Sequence, residues 1–281
     1  MIDKKAIIQA TEIPSIPEIL QKILLLNEDP LASSRQFEQL VVQEPGLVTH
    51  LLKMVNSAFY ARAQKVDSIQ HAIVLLGMNT VSSIASGLIL INSFHNLSGV
   101  PRKYVRTVFR HSIVSANLIN VFARKESIKK REPLYLAGMV YDIGHLILGQ
   151  HFREKYMCIT QDDPFPPVDE ETRRFDVDHS DMGSELLNEW KFPDDVVMMV
   201  RYHHNSEDYD GDEKDISYLK ACDFLSKQID ELDSYLSQDE DQVDGMFSDL
   251  LDSIGWNWSM VQESRENIFQ AIDLARVLMN R

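Results

Sequence analysis

Ala137-Gly138-Met139-Val140-Tyr141-Asp142-Ile143-Gly144-His145-Leu146 is the stretch on which the reading of this 281-residue chain turns. An aspartate and a histidine stand three residues apart in otherwise apolar or small surroundings. The spacing predicts one helix from about Leu134 to Phe152, on which Asp142 shares a stripe with Gly138, His145 and Gly149. The two glycines leave room for a group to approach the carboxylate. Polar groups on a buried face must be satisfied by one another, by water or by a metal, because burying them unpaired is costly.

The same pattern recurs on either side. His111 shares its stripe with Val108, Ser115 and Leu118, and His179 heads a face that continues through Gly183, Leu186, Leu187 and Trp190. Asp223 lies between Leu219 and Ser226. His203 and His204 are adjacent, so on a helix their side chains diverge by about 100°. They face one centre only where the helix stops, and Asn205-Ser206 offers such a stop. His50 and His71 read as structural or surface residues, and His95 and His151 as caps near helix ends.

Period-two alternation is nearly absent, whereas helix starts are frequent, so the chain is read as all-α. Ser15-Ile16-Pro17-Glu18 reads as a capping box, and Ser33-Ser34-Arg35-Gln36 repeats its logic. Glu44-Pro45-Gly46 ends one helix and starts another. A long helix is expected from about Arg102 to Arg124, a loop with one helical turn from Asp162 to Asp178, and helices at His179–Trp190, Pro193–His203 and Lys214–Leu236. Asp239 to Gly245 reads as an acidic linker, and Gln262 to Met279 as an amphipathic closing helix.

The formal net charge of −15 disfavours general binding to nucleic acid. Residues 101–131 are nevertheless basic, with only Glu126 opposing them, while Asp230 to Glu263 contains no Lys or Arg. Solvated faces account for both; an acidic partner, a nucleotide or the chain's own acidic tail would be a functional use for the basic one. No Asp, Glu, Lys or Arg occurs between Asp67 and Arg102, but polar residues interrupt that run before it reaches the ~18–20 residues of a membrane span. Two cysteines, Cys158 and Cys222, without a CxxC spacing, fit a reducing compartment, and the expected location is the cytoplasm.

The order His111, Tyr141-Asp142, His179, His203-His204, Asp223 resembles the HD phosphohydrolase superfamily, HD-GYP proteins included. There a histidine, a His-Asp dyad and a later aspartate hold one metal, and further histidines a second. In Ala137–Leu146, Tyr141 replaces the dyad histidine and His145 stands where lysine is common; Arg201-Tyr202-His203-His204 is similar to the paired-histidine motif. In the first half, Pro14-Ser15-Ile16-Pro17, the stretch from Glu44-Pro45-Gly46 to Phe59-Tyr60, and Ser68 to Gly77 resemble the HDOD module, the HD-related output domain.

The resemblance implies an all-α, HD-like bacterial regulatory bundle, commonly without catalytic activity. It spans about 11–225, with an N-terminal helical subdomain at about 11–95, an HD-like half at about 100–225, and a tail over 226–281 as an acidic linker and helical extension. The expected function is signal transduction on a degenerate HD scaffold, by binding an unidentified protein partner or a small ligand such as a nucleotide. The alternative is a metal-dependent phosphohydrolase acting on a nucleotide or phosphodiester. His111, Asp142 and Asp223, with His179, His203 and His204, form a vestigial or altered metal set; His145 is a possible substitute ligand. The cofactor is then none or one divalent ion.

Overall fold

Helix starts in this chain are set by short polar side chains and by proline. Asp3 accepts from the backbone N–H of Lys5 and Ala6 to begin α1 (Lys4–Ala10), and Ser33 and Gln36 close a reciprocal box at α3 (Ser34–Val41). Pro45 opens α4 (Pro45–Val55), and Ser68 caps α5 (Ile69–Leu76) through the His71 amide. The expected box at Ser15 does not form: Pro17 is held extended at φ −59°, ψ 136°, so α2 (Glu18–Glu28) begins only at Glu18, without a side-chain cap. Gly77, at φ +86°, turns the chain from α5 into α6 (Met78–Ser93). The computed structural model describes residues 3–29, 31–57, 65–94, 97–161 and 163–279, and among these it contains helices and no strand. His95 and the Phe59-Tyr60 end of the motif lie outside them.

The N-terminal half is this first set of helices, with α6 at its centre. Val81 through Leu90 are all buried, which explains the long charge-free run, and no described helix is long and apolar enough to cross a membrane. Asn56 clamps the end of α4: its Nδ2 donates to Leu52 O and Val66 O at 2.7 Å each, and its Oδ1 accepts from the Val66 amide.

The second half is built on α7 (Arg102–Phe122), followed by α8 (Ile128–Val140), α9 (Ile143–Phe152), α10 (Glu154–Ile159), α11 (Val168–Phe175), α12 (His179–Glu189), α13 (Asp194–Tyr202) and α14 (Glu213–Lys227). The single helix expected from Leu134 to Phe152 is therefore two, broken at Tyr141-Asp142. The expected loop over Asp162–Asp178 contains the eight-residue α11, and the expected Lys214–Leu236 helix stops at Lys227 before α15 (Leu232–Tyr235).

The tail continues with α16 (Gly245–Ser253), α17 (Trp258–Glu263) and α18 (Arg265–Met279). It is packed into the core: α18 lies along α7 and α16 against α14. The Trp256 indole donates to Phe122 O at 2.9 Å, and Asn117 Nδ2 to Ala271 O at 3.0 Å. Phe247, Trp256, Trp258, Ile268 and Leu274 are buried, together worth on the order of 10 kcal/mol of apolar burial. Of the basic segment, Lys130 pairs with Asp212 and Asp215 and Arg124 lies over Trp256, while Glu126, its one acid, pairs with Lys214.

Candidate metal centre

The break between α8 and α9 separates two adjacent side chains. Backbone angles of φ −60°, ψ −29° at Tyr141 and φ −96°, ψ 7° at Asp142 end one helix before the next starts. The Tyr141 hydroxyl meets α7 and α14, while Asp142 lies between them and the histidines of α9, α12 and the end of α13: Oδ2 is 3.3 Å from Nε2 of His111 and Oδ1 faces His145, His179 and His203. Gly144 makes this possible, since a Cβ there would lie 1.8 Å from the carbonyl oxygen of His179. The glycines expected to clear space around Asp142 serve elsewhere: Gly138 packs on Ala116 of α7, and Gly149 faces Met157 and Val100.

Around His111 the polar groups satisfy one another. Its Nε2 lies 2.6 Å from the Tyr141 hydroxyl and 2.9 Å from Asp223 Oδ1, and its Nδ1 2.9 Å from Ser226 Oγ. The Tyr141 hydroxyl also reaches Ser115 Oγ at 2.9 Å and Asp223 Oδ1 at 3.2 Å. Burial, together with the nearby Asp142 and Asp223 carboxylates, holds this phenol well above its ordinary pKa, so it stays protonated.

Around His179 they do not. α13 ends at Tyr202, which lets both His203 and His204 face α12. The Nε2 of His179 lies 3.3 Å from Nε2 of His203 and 2.9 Å from Nε2 of His204. Asp142 Oδ1 stands 3.9 Å from Nε2 of His145, 3.9 Å from that of His179 and 3.8 Å from that of His203. The backs of three rings face acceptors: His203 Nδ1 meets Val200 O at 2.6 Å, His179 Nδ1 meets Glu171 Oε2 at 2.6 Å, and His145 Nδ1 meets Tyr156 Oη at 2.5 Å. A carbonyl or carboxylate can only accept, and the Tyr156 hydroxyl gives its own hydrogen to Glu171. Each ring therefore keeps a hydrogen on Nδ1 and turns its Nε2 inward. Three imidazole nitrogens thus converge on Asp142 Oδ1 from beyond hydrogen-bond reach of it, and the other oxygen, Oδ2, is buried without a hydrogen bond, 3.3 Å from Nε2 of His111. Such a set calls for a cation.

Electrostatics agree with that demand. Burial alone would lower His179, but the Glu171 carboxylate, with Asp142 beyond it, overrides burial and holds the ring up at about 9. Burial and the neighbouring His179 charge push His203 down to about 4. Burial would raise Glu171, but His179 and His145 keep it well below the usual carboxylate range. The pocket thus holds one positive charge among rings otherwise neutral.

The donors fit a divalent ion at this half: His179, His203, His204 and Asp142, with His145 beside them, place their ligand atoms within 4.8 Å in overlapping groups of three. Imidazole-rich sets suit zinc, copper, iron or nickel better than magnesium, calcium or manganese. At the other half His111, Asp142 and Asp223 are similarly close, but the Tyr141 hydroxyl already lies against His111 and Asp223.

Phe165 covers the mouth. Its ring lies 4.2 Å from that of His111, and Lys227 sits 5.9 Å above it while pairing with Asp223 at 2.9 Å. The Tyr104 hydroxyl donates to Pro164 O at 3.0 Å and so ties this segment down. Two cavities of about 320 and 330 Å³ open on either side of Phe165, both lined by Asp163 and Lys227. Glu171, Tyr156, Phe165 and Lys227 did not stand out in the sequence. Glu171 carried a signal: it sits four residues before Phe175 and three after Val168, on the apolar side of α11.

The HDOD domain family matches residues 13–206. The chain belongs to the HDOD family. An uncharacterized protein of Treponema pallidum (strain Nichols) is 24% identical over 201 residues, 69% of this chain and 38% of that protein. The chain thus spans well under half of that relative. An HDOD domain protein of unknown function from Geobacter sulfurreducens superposes with a TM-score of 0.77 at 18% identity, covering 98% of this chain and 96% of that one. A protein from Shewanella amazonensis SB2B, provisionally named a phosphohydrolase, gives a TM-score of 0.76 at 16% identity, covering 97% and 98%. At these identities the likeness is one of fold, and the all-α HD-like architecture is shared.

Proposed function

We propose that this HDOD domain is a regulatory module of signal transduction whose histidine pocket holds one first-row divalent ion and binds a small anionic ligand without two-metal turnover. The observation that carries the reading is the asymmetry between the two halves: the Tyr141 hydroxyl lies against Nε2 of His111, whereas Nε2 of His179, of His203 and of His145 all turn towards Asp142 Oδ1 at 3.8–3.9 Å, beyond hydrogen-bond reach. When bound, an ion there supplies a Lewis acid for an anionic oxygen. Lys227 adds a positive charge at the mouth, Asp142 and the three rings hold the ion's position, and Phe165 limits what reaches it. The partner is a signalling protein, and the free thiols of Cys158 and Cys222 fit a cytoplasmic setting.

The rival reading, a metal-dependent phosphohydrolase on a nucleotide or phosphodiester, draws on the same histidines and on Lys227. Elemental analysis of the purified protein, with phosphatase and phosphodiesterase assays in Mn²⁺, separates the two. One equivalent of metal, lost in Asp142→Ala, without turnover at ordinary enzymatic rates is expected. Two equivalents, with turnover abolished in Asp142→Ala, would establish the hydrolase.

A further inference from the structure

Glu171 is completely buried, and its ion-pair partners among the described residues are histidines alone. Oε2 accepts from the backbone amide of His179 at 2.9 Å and from its Nδ1 at 2.6 Å. Oε1 accepts from the Tyr156 hydroxyl and lies 3.2 Å from Nδ1 of His145. Tyr156 is itself buried and receives the Nδ1 hydrogen of His145 at 2.5 Å. One carboxylate thus reaches the back of two imidazoles, one directly and one through a phenol, and those rings are stacked with centroids 3.9 Å apart. Burying a carboxylate without a lysine or arginine is costly.

We propose that Glu171, from behind the pocket, is the positioning residue that keeps the Nδ1 hydrogens of His179 and His145 at the back of their rings, so that both rings turn Nε2 to the same cation. The proposal deepens the metal reading and rests on it for its affinity arm only. It makes His145 a member of the ligand-facing set, held there by Tyr156. An amide at position 171 cannot serve both rings. With its oxygen kept towards His179, its NH₂ faces Tyr156 and His145 and donates. The Tyr156 hydroxyl then reverses to donate to His145 Nδ1, and the His145 hydrogen moves to Nε2, where it points at Asp142.

The test uses the full chain as wild type, Glu171→Gln and Tyr156→Phe, with folding checked by circular dichroism. Ring ¹⁵N shifts of the metal-free proteins report the His145 tautomer, and competition with a chelator reports Zn²⁺ affinity. His145 is expected as the Nδ1–H form in wild type and as the Nε2–H form in Glu171→Gln, with Zn²⁺ affinity reduced about 10–100-fold in that variant. Tyr156→Phe is expected to lose less, because His179 keeps its carboxylate. An Nε2–H His145 in the wild type, or a tautomer unchanged in Glu171→Gln, overturns the proposal whether or not metal binds. Unchanged Zn²⁺ affinity in a folded Glu171→Gln also overturns it. A wild type that takes up no Zn²⁺ sinks the metal reading instead, and the tautomer measurement still decides the role of Glu171.

Discussion

The hydroxyl of Tyr141 lies 2.6 Å from Nε2 of His111, nearer than the 2.9 Å that separates this nitrogen from Asp223 Oδ1. A side chain inside the scaffold therefore takes the place of an external partner for His111. Replacing Tyr141 by histidine removes the hydroxyl and restores a His-Asp pair with Asp142. Tyr141→His is expected to bind a second equivalent of Mn²⁺ or Zn²⁺, seen as a higher metal content and a larger metal-dependent rise in melting temperature than in wild type. Equal stoichiometry in the two proteins would show that Tyr141 does not limit the site.

Metal uptake has a defined pH dependence. His179 is held up at about 9 in the metal-free pocket, so below that pH an entering ion displaces a proton. Apparent Zn²⁺ affinity is expected to rise by about tenfold per pH unit between pH 7 and 8.5 and to level off near pH 9. Competition titrations across that range check it; a flat profile would mean that His179 carries no proton in the free protein.

Gly144 is where α9 and α12 touch. A Cβ there would sit 1.8 Å from the His179 carbonyl oxygen, a backbone atom that moves only with its helix. Gly144→Ala is expected to destabilise the protein by about 3 kcal/mol or more and to weaken metal binding by displacing His179. Urea denaturation with a parallel metal titration measures both. A variant of wild-type stability would show that the approach is looser than described.

The tail is part of the folding unit. Truncation after Gln228 would expose α7 and α14 and remove the Trp256–Phe122 and Asn117–Ala271 hydrogen bonds. The lost burial, on the order of 10 kcal/mol, rivals the whole stability of an ordinary domain. The truncated chain is expected to lose its cooperative thermal transition, and a sharp calorimetric peak near that of the full protein would count against this.

Much of the architecture was legible because it is written in local chemistry. Ser33, Pro45 and Ser68 act through neighbours at most three residues away, and the helices they start lie where the sequence places them. Ser15 misled because a capping box needs a helical residue at position 17, and that proline adopts the extended conformation instead. The break at Tyr141-Asp142 carries no proline or glycine; it follows from long-range bonds to His111, Ser115 and Asp223 that no window of sequence contains. Glu171 was hidden for a related reason. Among Asp169, Glu170 and Glu171 only the last is buried, and its partners stand 8 to 26 residues away.

The ring over the mouth sets a limit of another kind. Phe165 stands between Pro164, whose carbonyl accepts from the Tyr104 hydroxyl, and Pro166-Pro167, so the backbone that carries the ring is held in place. The two openings beside it then act as a sieve. At about 320 and 330 Å³ each has room for a hydrated ion or a phosphate group and none for a folded polypeptide or a nucleic-acid duplex. His204 is exposed while His111, His145, His179 and His203 are buried, so a protein partner of this domain reads the state of the pocket from that one edge and from the outer surface, not from the inner histidines themselves.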